Sequence, residues 1–188
     1  MASSILPEGT VINPHFPAAV GLRTLSVQRL MGLVFGAFVQ AAPDLLPACP
    51  ASGGPIMNVN TIDNRSGRRV VASVGPIIGG AGGSLFGDGT EGSGANSSFL
   101  KNTPVEINEV EVPIKIHRYG LAPGSGGAGQ HRGGTAIEMW FEALAPNTKI
   151  TARNMDRTRF TSWGVQGGGA GSSVSYTHLR AHETPEHL

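Results

Sequence analysis

The chain has 188 residues, the length of one domain or of a piece of a larger one. Glycine supplies 28 of them, about twice the usual share, whereas hydrophobic residues make up 39% and charged residues 14%, both low for a globular domain. A net charge of +1 without a basic cluster argues against nucleic acid or an anionic membrane as partner, and the single cysteine, Cys49, excludes an intrachain disulfide framework or a cysteine zinc cage.

The chain opens on a polar stretch carrying Glu8, unlike a secretory signal, and its longest apolar run, "LMGLVFGAFV" (30–39), is too short to span a bilayer. Together with the lone cysteine this gives an expectation of a cytoplasmic protein without a membrane partner. "ILPEGTVINPHFPAAVG" is rich in turn residues and reads as an extended entry. From Thr24 to Ala42 the pattern becomes helical. Leu22, Leu25, Leu30, Leu33, Val34, Ala37, Phe38 and Ala41 recur at spacings of three and four, Thr24 or Ser26 can cap the start, and Pro43 stops the helix. Gly32 and Gly36 suggest close approach by another backbone, and Gln28 and Arg29 are expected on the polar side. Leu30, Met31, Leu33, Val34 and Phe35 leave so little polar face that this core helix needs cover on more than one side.

Beyond the proline-punctuated loop 43–55 the period switches to two. "RRVVASV" (68–74) reads as a short strand. Val110, Val112, Ile114 and Ile116 alternate with Glu111, Pro113, Lys115 and His117 and read as the clearest strand, at an edge or starting anew at Pro113. "TAIEMWFEAL" and "KITAR" can pair as a hairpin across Pro146-Asn147. The expected class is α+β: one long core helix followed by mostly antiparallel strands linked by glycine-rich loops.

Those loops are three blocks, 79–94, 124–134 and 164–171, which hold 19 of the 28 glycines. Gly124 to Gly129 match G-x-G-x-x-G letter for letter. A dinucleotide site, however, needs that turn to open a helix whose amides face the pyrophosphate. Here Gly133-Gly134 and the strand-like "TAIEMWFEA" follow instead. A P-loop needs Lys and Ser or Thr where Gln130 and His131 stand. The loop is therefore not expected to bind ATP or NAD. Its glycines are expected to serve positive φ or close backbone approach. Curled amides could still form an anion nest, with Arg132 placed to add charge.

The tail 174–188, "VSYTHLRAHETPEHL", breaks with the Gly, Ala and Ser before it and holds three of the six histidines. Back-translated, Val174 to Glu183 resembles the transposon adapter used in sequencing-library preparation. On this reading 174–188 is not native and 1–173 is a fragment. His15, His117 and His131 then remain as candidates for chemistry.

Several ordered motifs carry a resemblance. "IIGGAGGSLFGDGTEGSGANSS" ends its first glycine run in Asp88-Gly89. "NTPVEINEVEVPIKIHRYGLAPGSGGAGQHRGG" contains Asn102-Thr103-Pro104-Val105-Glu106, Glu109, Ser125-Gly126-Gly127-Ala128-Gly129 and Arg132-Gly133-Gly134. "RTRFTSWGVQGGGAG" places Trp163-Gly164 before a glycine run. Over nearly all of 5–173 this order resembles the hydantoinase B/oxoprolinase family. Pro123-Gly124 departs from it, standing where the family commonly has Asp before Ser-Gly-Gly. The resemblance implies the B-type subunit of an ATP-dependent enzyme acting on a cyclic amide, such as an N-methylhydantoinase or 5-oxoprolinase, with ketone carboxylases as relatives. It further implies that ATP belongs to an A-type partner subunit and that a divalent metal is held by a region upstream of this one. No cofactor is expected on the fragment itself, which is not expected to be active alone. A glycine-rich structural or interface module without chemistry of its own is the other class of reading.

The candidate catalytic residues are Asp88, in a glycine turn, and Glu106 and Glu109, three apart at the expected start of the strand; any of them could serve as general base for water. The plainer alternative is that Glu106 and Glu109 face solvent or bind loop amides. His131 and Arg132 could hold a substrate carboxylate or phosphate, or be an ordinary surface pair.

Overall fold

In the computed structural model, which describes residues 7–19, 21, 23–94 and 101–177, the fold is α+β. One long helix, α1 (Arg23–Ala41), precedes β1 (Ile56–Ile62), β2 (Arg69–Val74), a short helix α2 (Val105–Glu111), β3 (Ile114–Leu121), β4 (Ile137–Ala143) and β5 (Lys149–Arg153). The first sheet has the order β2-β1-β5 and the second pairs β3 with β4, every pairing antiparallel.

Period-two alternation decides where the core lies. Val59 and Val74 from the first sheet meet Val112 and Ile114 at the start of the second, and all four are buried. Met57, Val70, Ala72, Ile116, Met139 and Phe141 close round them, so the sheets pack through their apolar faces. Each large side chain buried this way contributes about 2 kcal/mol. The β1–β2 turn is tied by Asp63, which accepts hydrogen bonds from Ser66 Oγ (2.8 Å) and the Arg65 amide (3.1 Å). These bonds, Ser66 first, hold its carboxyl at about 2.

Helix α1 matches the expectation from spacing to within a residue. It begins at Arg23, so Thr24 and Ser26 fall inside its first turn, past the N-cap position. Leu22 lies outside the described residues. The packed side also differs from expectation: Gln28 is buried and Arg29 is half-buried, whereas Leu33, Val34 and Phe38 are 69%, 51% and 61% exposed. Among the described residues, only one stripe of α1 is covered. At Gly36 the close neighbour is the Trp163 ring, with Cζ2 3.0 Å from where a Cβ would stand; at Gly32 no described residue comes within 4 Å. The four-residue glycine spacing thus accommodates an aromatic side chain at one position, and no second backbone.

Two strand expectations are corrected. The alternating run 110–116 is not one strand, because residues 105–111 form α2 and β3 begins only at Ile114. Pro113 has no amide to donate to a ladder, and Pro104 suits a helix start, where a missing N–H costs nothing. Glu106 in the first turn complements the helix dipole. Val110 is accordingly 73% exposed although Val112 is buried. Pro113 does mark where the strand starts anew, and its carbonyl accepts from the Leu144 amide at 2.9 Å.

The second correction concerns "TAIEMWFEAL" and "KITAR", which form no hairpin. β4 pairs with β3, from Ile114 opposite Ala143 to Leu121 opposite Ile137, and β5 pairs with β1. Between them Thr148 Oγ1 donates to the Ala145 carbonyl (2.7 Å) and Asn147 adopts φ 56°, which turns the chain away from the second sheet toward the first. Thr148 Oγ1 also shares a 2.8 Å hydrogen bond with Thr61 Oγ1 of β1.

Candidate functional site

The three glycine blocks pack against one another backbone on backbone. A Cβ at Gly80 would stand 1.8 Å from the Gly134 carbonyl oxygen, and one at Gly127 would stand 2.4 Å from that of Gly169. Hydrogen bonds run across the same contacts: Gly134 N to Ala81 O at 2.9 Å, Gly89 N to Arg132 O at 2.8 Å and Gly169 N to Ala128 O at 2.6 Å. Close approach, more than positive φ, is what these glycines provide. The G-x-G-x-x-G turn is followed by β4 and by no helix, so it presents no row of helix amides to a pyrophosphate.

This hub brings together three of the residues singled out from sequence. Asp88 Oδ1 accepts from the Arg132 amide at 3.0 Å and lies 3.6 Å from His131 Nδ1; Asp88 Oδ2 lies 3.4 Å from Arg132 Nε. Glu91, which sequence reasoning passed over, completes the cluster. Arg132 Nη2 donates to Glu91 Oε1 at 2.7 Å, and the Thr135 amide donates to Glu91 Oε2. The Arg132 hydrogen bond, then the Thr135 amide, holds the Glu91 carboxyl below its usual range, and Glu91 raises Arg132 in turn. Two carboxylates face one guanidinium, so much of the Arg132 charge is offset within the cluster. The signal for Glu91 was its place in the same glycine block as Asp88.

Glu106 and Glu109 lie elsewhere, on α2. Glu109 Oε1 accepts from the Ile116 amide at 2.7 Å, bracing the start of β3. Glu106 is exposed and has no hydrogen bond or ion pair among the described residues. His117 lies 3.1 Å from Glu142 across the second sheet.

A second polar cluster was not anticipated. Arg29 Nη2 donates to the Ala51 carbonyl (2.9 Å) and lies 2.8 Å from Asp156 Oδ2 without hydrogen-bond geometry, leaving that oxygen and Arg29 Nε buried and unpartnered. Burial raises the Asp156 carboxyl, against the pull of Arg29 and Arg157, and burial lowers the Arg29 guanidinium. Arg157 donates to neutral acceptors: Cys49 Sγ (2.9 Å), Thr161 O (3.0 Å), Ala51 O (3.3 Å) and Pro50 O (3.4 Å). Ser52, Asn154 and Arg157, around this cluster, have φ of 51°, 56° and 56°, a left-handed region that non-glycine residues seldom enter. Gly53 leaves room for Asp156, whose Oδ1 would be 2.2 Å from a Cβ there. Arg29 was hidden by its place in an apolar helix, and Asp156 by lying in an irregular segment.

Among the described residues no group of three or more His, Cys, Asp or Glu side chains could hold a metal ion. No described helix is long and apolar enough to cross a membrane.

The hydantoinase B/oxoprolinase family profile matches residues 1–187. The chain belongs to that family. It is 38% identical over 170 residues to an uncharacterized protein of Methanocaldococcus jannaschii, covering 89% of this chain and 28% of that protein. It is 33% identical over 145 residues to the caprolactamase beta subunit of Pseudomonas jessenii, covering 73% of this chain and 24% of the relative. The crystal structure of that ATP-dependent caprolactamase superposes with a TM-score of 0.61 over the same shares. A nucleotide-free acetone carboxylase superposes with a TM-score of 0.69 at 18% identity, covering 90% of this chain and 23% of that one, a likeness of fold. The chain thus spans about a quarter of the length of these relatives. The family match runs on through 174–187, across the segment that resembles an adapter. Of that segment, Val174 donates its amide to Arg157 O at 3.0 Å, and residues 178–188 lie outside the described residues.

Proposed function

We propose that this chain is part of a subunit that hydrolyses a cyclic amide at the expense of ATP, with the nucleotide handled by an A-type partner subunit. The observation that carries this reading is family membership combined with 33% identity to the beta subunit of an ATP-dependent caprolactamase. A lactam carbonyl is a poor electrophile because the ring nitrogen donates into it. Transfer of the ATP γ-phosphoryl group to the carbonyl oxygen gives a phosphorylated imidate and ADP. Water then adds at carbon, the adduct expels the protonated ring nitrogen, and hydrolysis of the resulting acyl phosphate releases phosphate. Ring opening and phosphate release consume one water each.

Asp88 is the group here that best fits the base for the first water. It is half-exposed, accepts a hydrogen bond from the Arg132 amide and lies 3.6 Å from His131 Nδ1 and 3.4 Å from Arg132 Nε, so its carboxylate is held in a fixed position. His131 and Arg132 then act by orienting Asp88, and Glu106 remains a second exposed carboxylate. The divalent metal that the resemblance implies finds no donor set among the described residues, and no step is derived through it.

The test is a segment exchange. Residues 7–173 replace their counterpart in the caprolactamase beta subunit, and ATP-dependent ring opening of caprolactam is followed by ADP release and amino-acid product. Turnover by the exchanged subunit, lost by at least about 100-fold on Asp88→Asn, supports the reading. An exchanged subunit that assembles but opens no ring counts against it. The extensive backbone packing of the hub favours one second reading, a scaffold that positions chemistry residing elsewhere. Asp88→Asn with turnover within about twofold of the unsubstituted exchange, against the about 100-fold loss a base would give, would select that one. Formation of a carboxylated ketone in place of ring opening would move the subunit to the ketone-carboxylase branch.

A further inference from the structure

Away from the glycine hub, a cavity of about 310 Å³ is lined by Arg29, Asp156, Arg157, Thr158, Arg159 and Phe160. We infer that this cavity is an oxyanion-binding site, built to take a phosphoryl or carboxylate group. The lining carries three arginines to one carboxylate, a balance opposite to that at Asp88, Glu91 and Arg132. Arg157 makes its hydrogen bonds to carbonyls and a thiol, so they hold the guanidinium in place without neutralising it. Arg159 is exposed at the rim, its guanidinium 5.5 Å from the centre of the Phe160 ring, and its side chain makes no hydrogen bond or ion pair among the described residues. The buried Arg29 Nε has no acceptor among the described residues, a state a structure seldom leaves uncompensated. A tetrahedral or planar oxyanion supplies several acceptor oxygens to such a set, and arginine forks match both geometries.

Local construction also points to a ligand. The chain holds Asn154 and Arg157 in left-handed backbone conformations on either side of Asp156 and keeps Gly53 beneath the carboxylate. Asp156 offsets part of the charge, and Arg29 is anchored to the loop at 50–54 through the Ala51 carbonyl. The cavity lining therefore keeps a net positive charge. The inference does not depend on the cyclic-amide reading, because oxyanion binding is measured without turnover.

The experiment is titration calorimetry of the full chain with inorganic phosphate and, separately, acetate, at constant ionic strength held by chloride. Two or more charge-assisted hydrogen bonds correspond to a dissociation constant of about 1 mM or tighter. Arg159→Gln removes a rim charge with no structural hydrogen bond and is expected to weaken binding by about tenfold while the circular dichroism spectrum is unchanged. Asp156→Asn removes the one opposing charge and is expected to tighten it. Phosphate bound in preference to acetate assigns the site to a phosphoryl group; the reverse preference assigns it to a carboxylate. Absence of heat with either anion at 20-fold above about 1 mM overturns the inference. So does binding that neither substitution alters, which would place the anion elsewhere.

Discussion

Replacing Gly80 by alanine tests the packing of the glycine hub. Gly80 does not occupy the left-handed region, so alanine meets no backbone strain there and the effect is one of space. Its Cβ would lie 1.8 Å from the Gly134 oxygen, 2.2 Å from the carbonyl carbon and 2.8 Å from the Cα, where non-bonded carbon contacts are normally about 3.5–4.0 Å. The atoms met are backbone, and no rotamer change can clear them. The two blocks must separate by more than 1 Å, roughly the shortfall from normal contact. That separation takes the Gly134 N to Ala81 O bond (2.9 Å) and the Gly89 N to Arg132 O bond (2.8 Å) out of range. Two backbone hydrogen bonds left unmade at about 1–3 kcal/mol each, with some overpacking strain, give a loss of about 3–5 kcal/mol. Against a domain stability of about 5–15 kcal/mol this is large. In urea, with a slope of about 2 kcal/mol/M, the midpoint falls by about 2 M. Gly120→Ala is the control, since nothing lies within 4 Å of a Cβ on that β3 position, and its effect is expected to stay under about 1 kcal/mol. Equal midpoints for Gly80→Ala and Gly120→Ala would refute the close-packing account.

Other expectations follow from individual contacts. Asp63 has a folded pKa of about 2 against an ordinary 3.8, so its carboxylate stabilises the fold above about pH 4, and that contribution is lost as pH falls through 2. The stability difference between the unsubstituted chain and Asp63→Asn should therefore shrink from pH 4 to pH 2, read from urea midpoints; a constant difference would contradict the assignment. Gly53→Ala drives Asp156 from its seat, where Oδ1 would be 2.2 Å from the new Cβ, and is expected to destabilise by about 1–3 kcal/mol in thermal unfolding. Phe38→Glu alters a side chain that is 61% exposed, so it should cost under about 1 kcal/mol.

The sequence displayed most clearly those elements whose pattern is local. Helix α1 was legible because its apolar spacing runs for five turns, and β2 because "RRVVASV" is rich in valine. β1 was harder to see, since Asn58 and Asn60 interrupt "IMNVNTI" with residues that disfavour strands. α2 was masked because Val110 and Val112 continue the alternation of Ile114 and Ile116 by coincidence, and only the two prolines reveal the break. Strand pairing was not local at all. β5 leaves its neighbour in sequence to join β1, nearly 90 residues earlier, a choice made by tertiary contacts. The site divides in the same way. Asp88, His131 and Arg132 were visible from motifs and do converge, but the second carboxylate on Arg132, Glu91, lies across a gap of 41 residues. The arginine cavity joins α1 to the segment after β5, and no motif connects them.

The most direct measurement of the functional account is made on the complete subunit carrying this chain, assayed with an A-type partner. Hydantoin, 5-oxoproline and caprolactam are each supplied with ATP, and ADP and ring-opened product are quantified together. The account predicts that at least one cyclic amide is opened only when ATP and partner are both present, with one ADP formed per ring opened. Ring opening without ATP, or ATP hydrolysis that opens none of these rings, would contradict it.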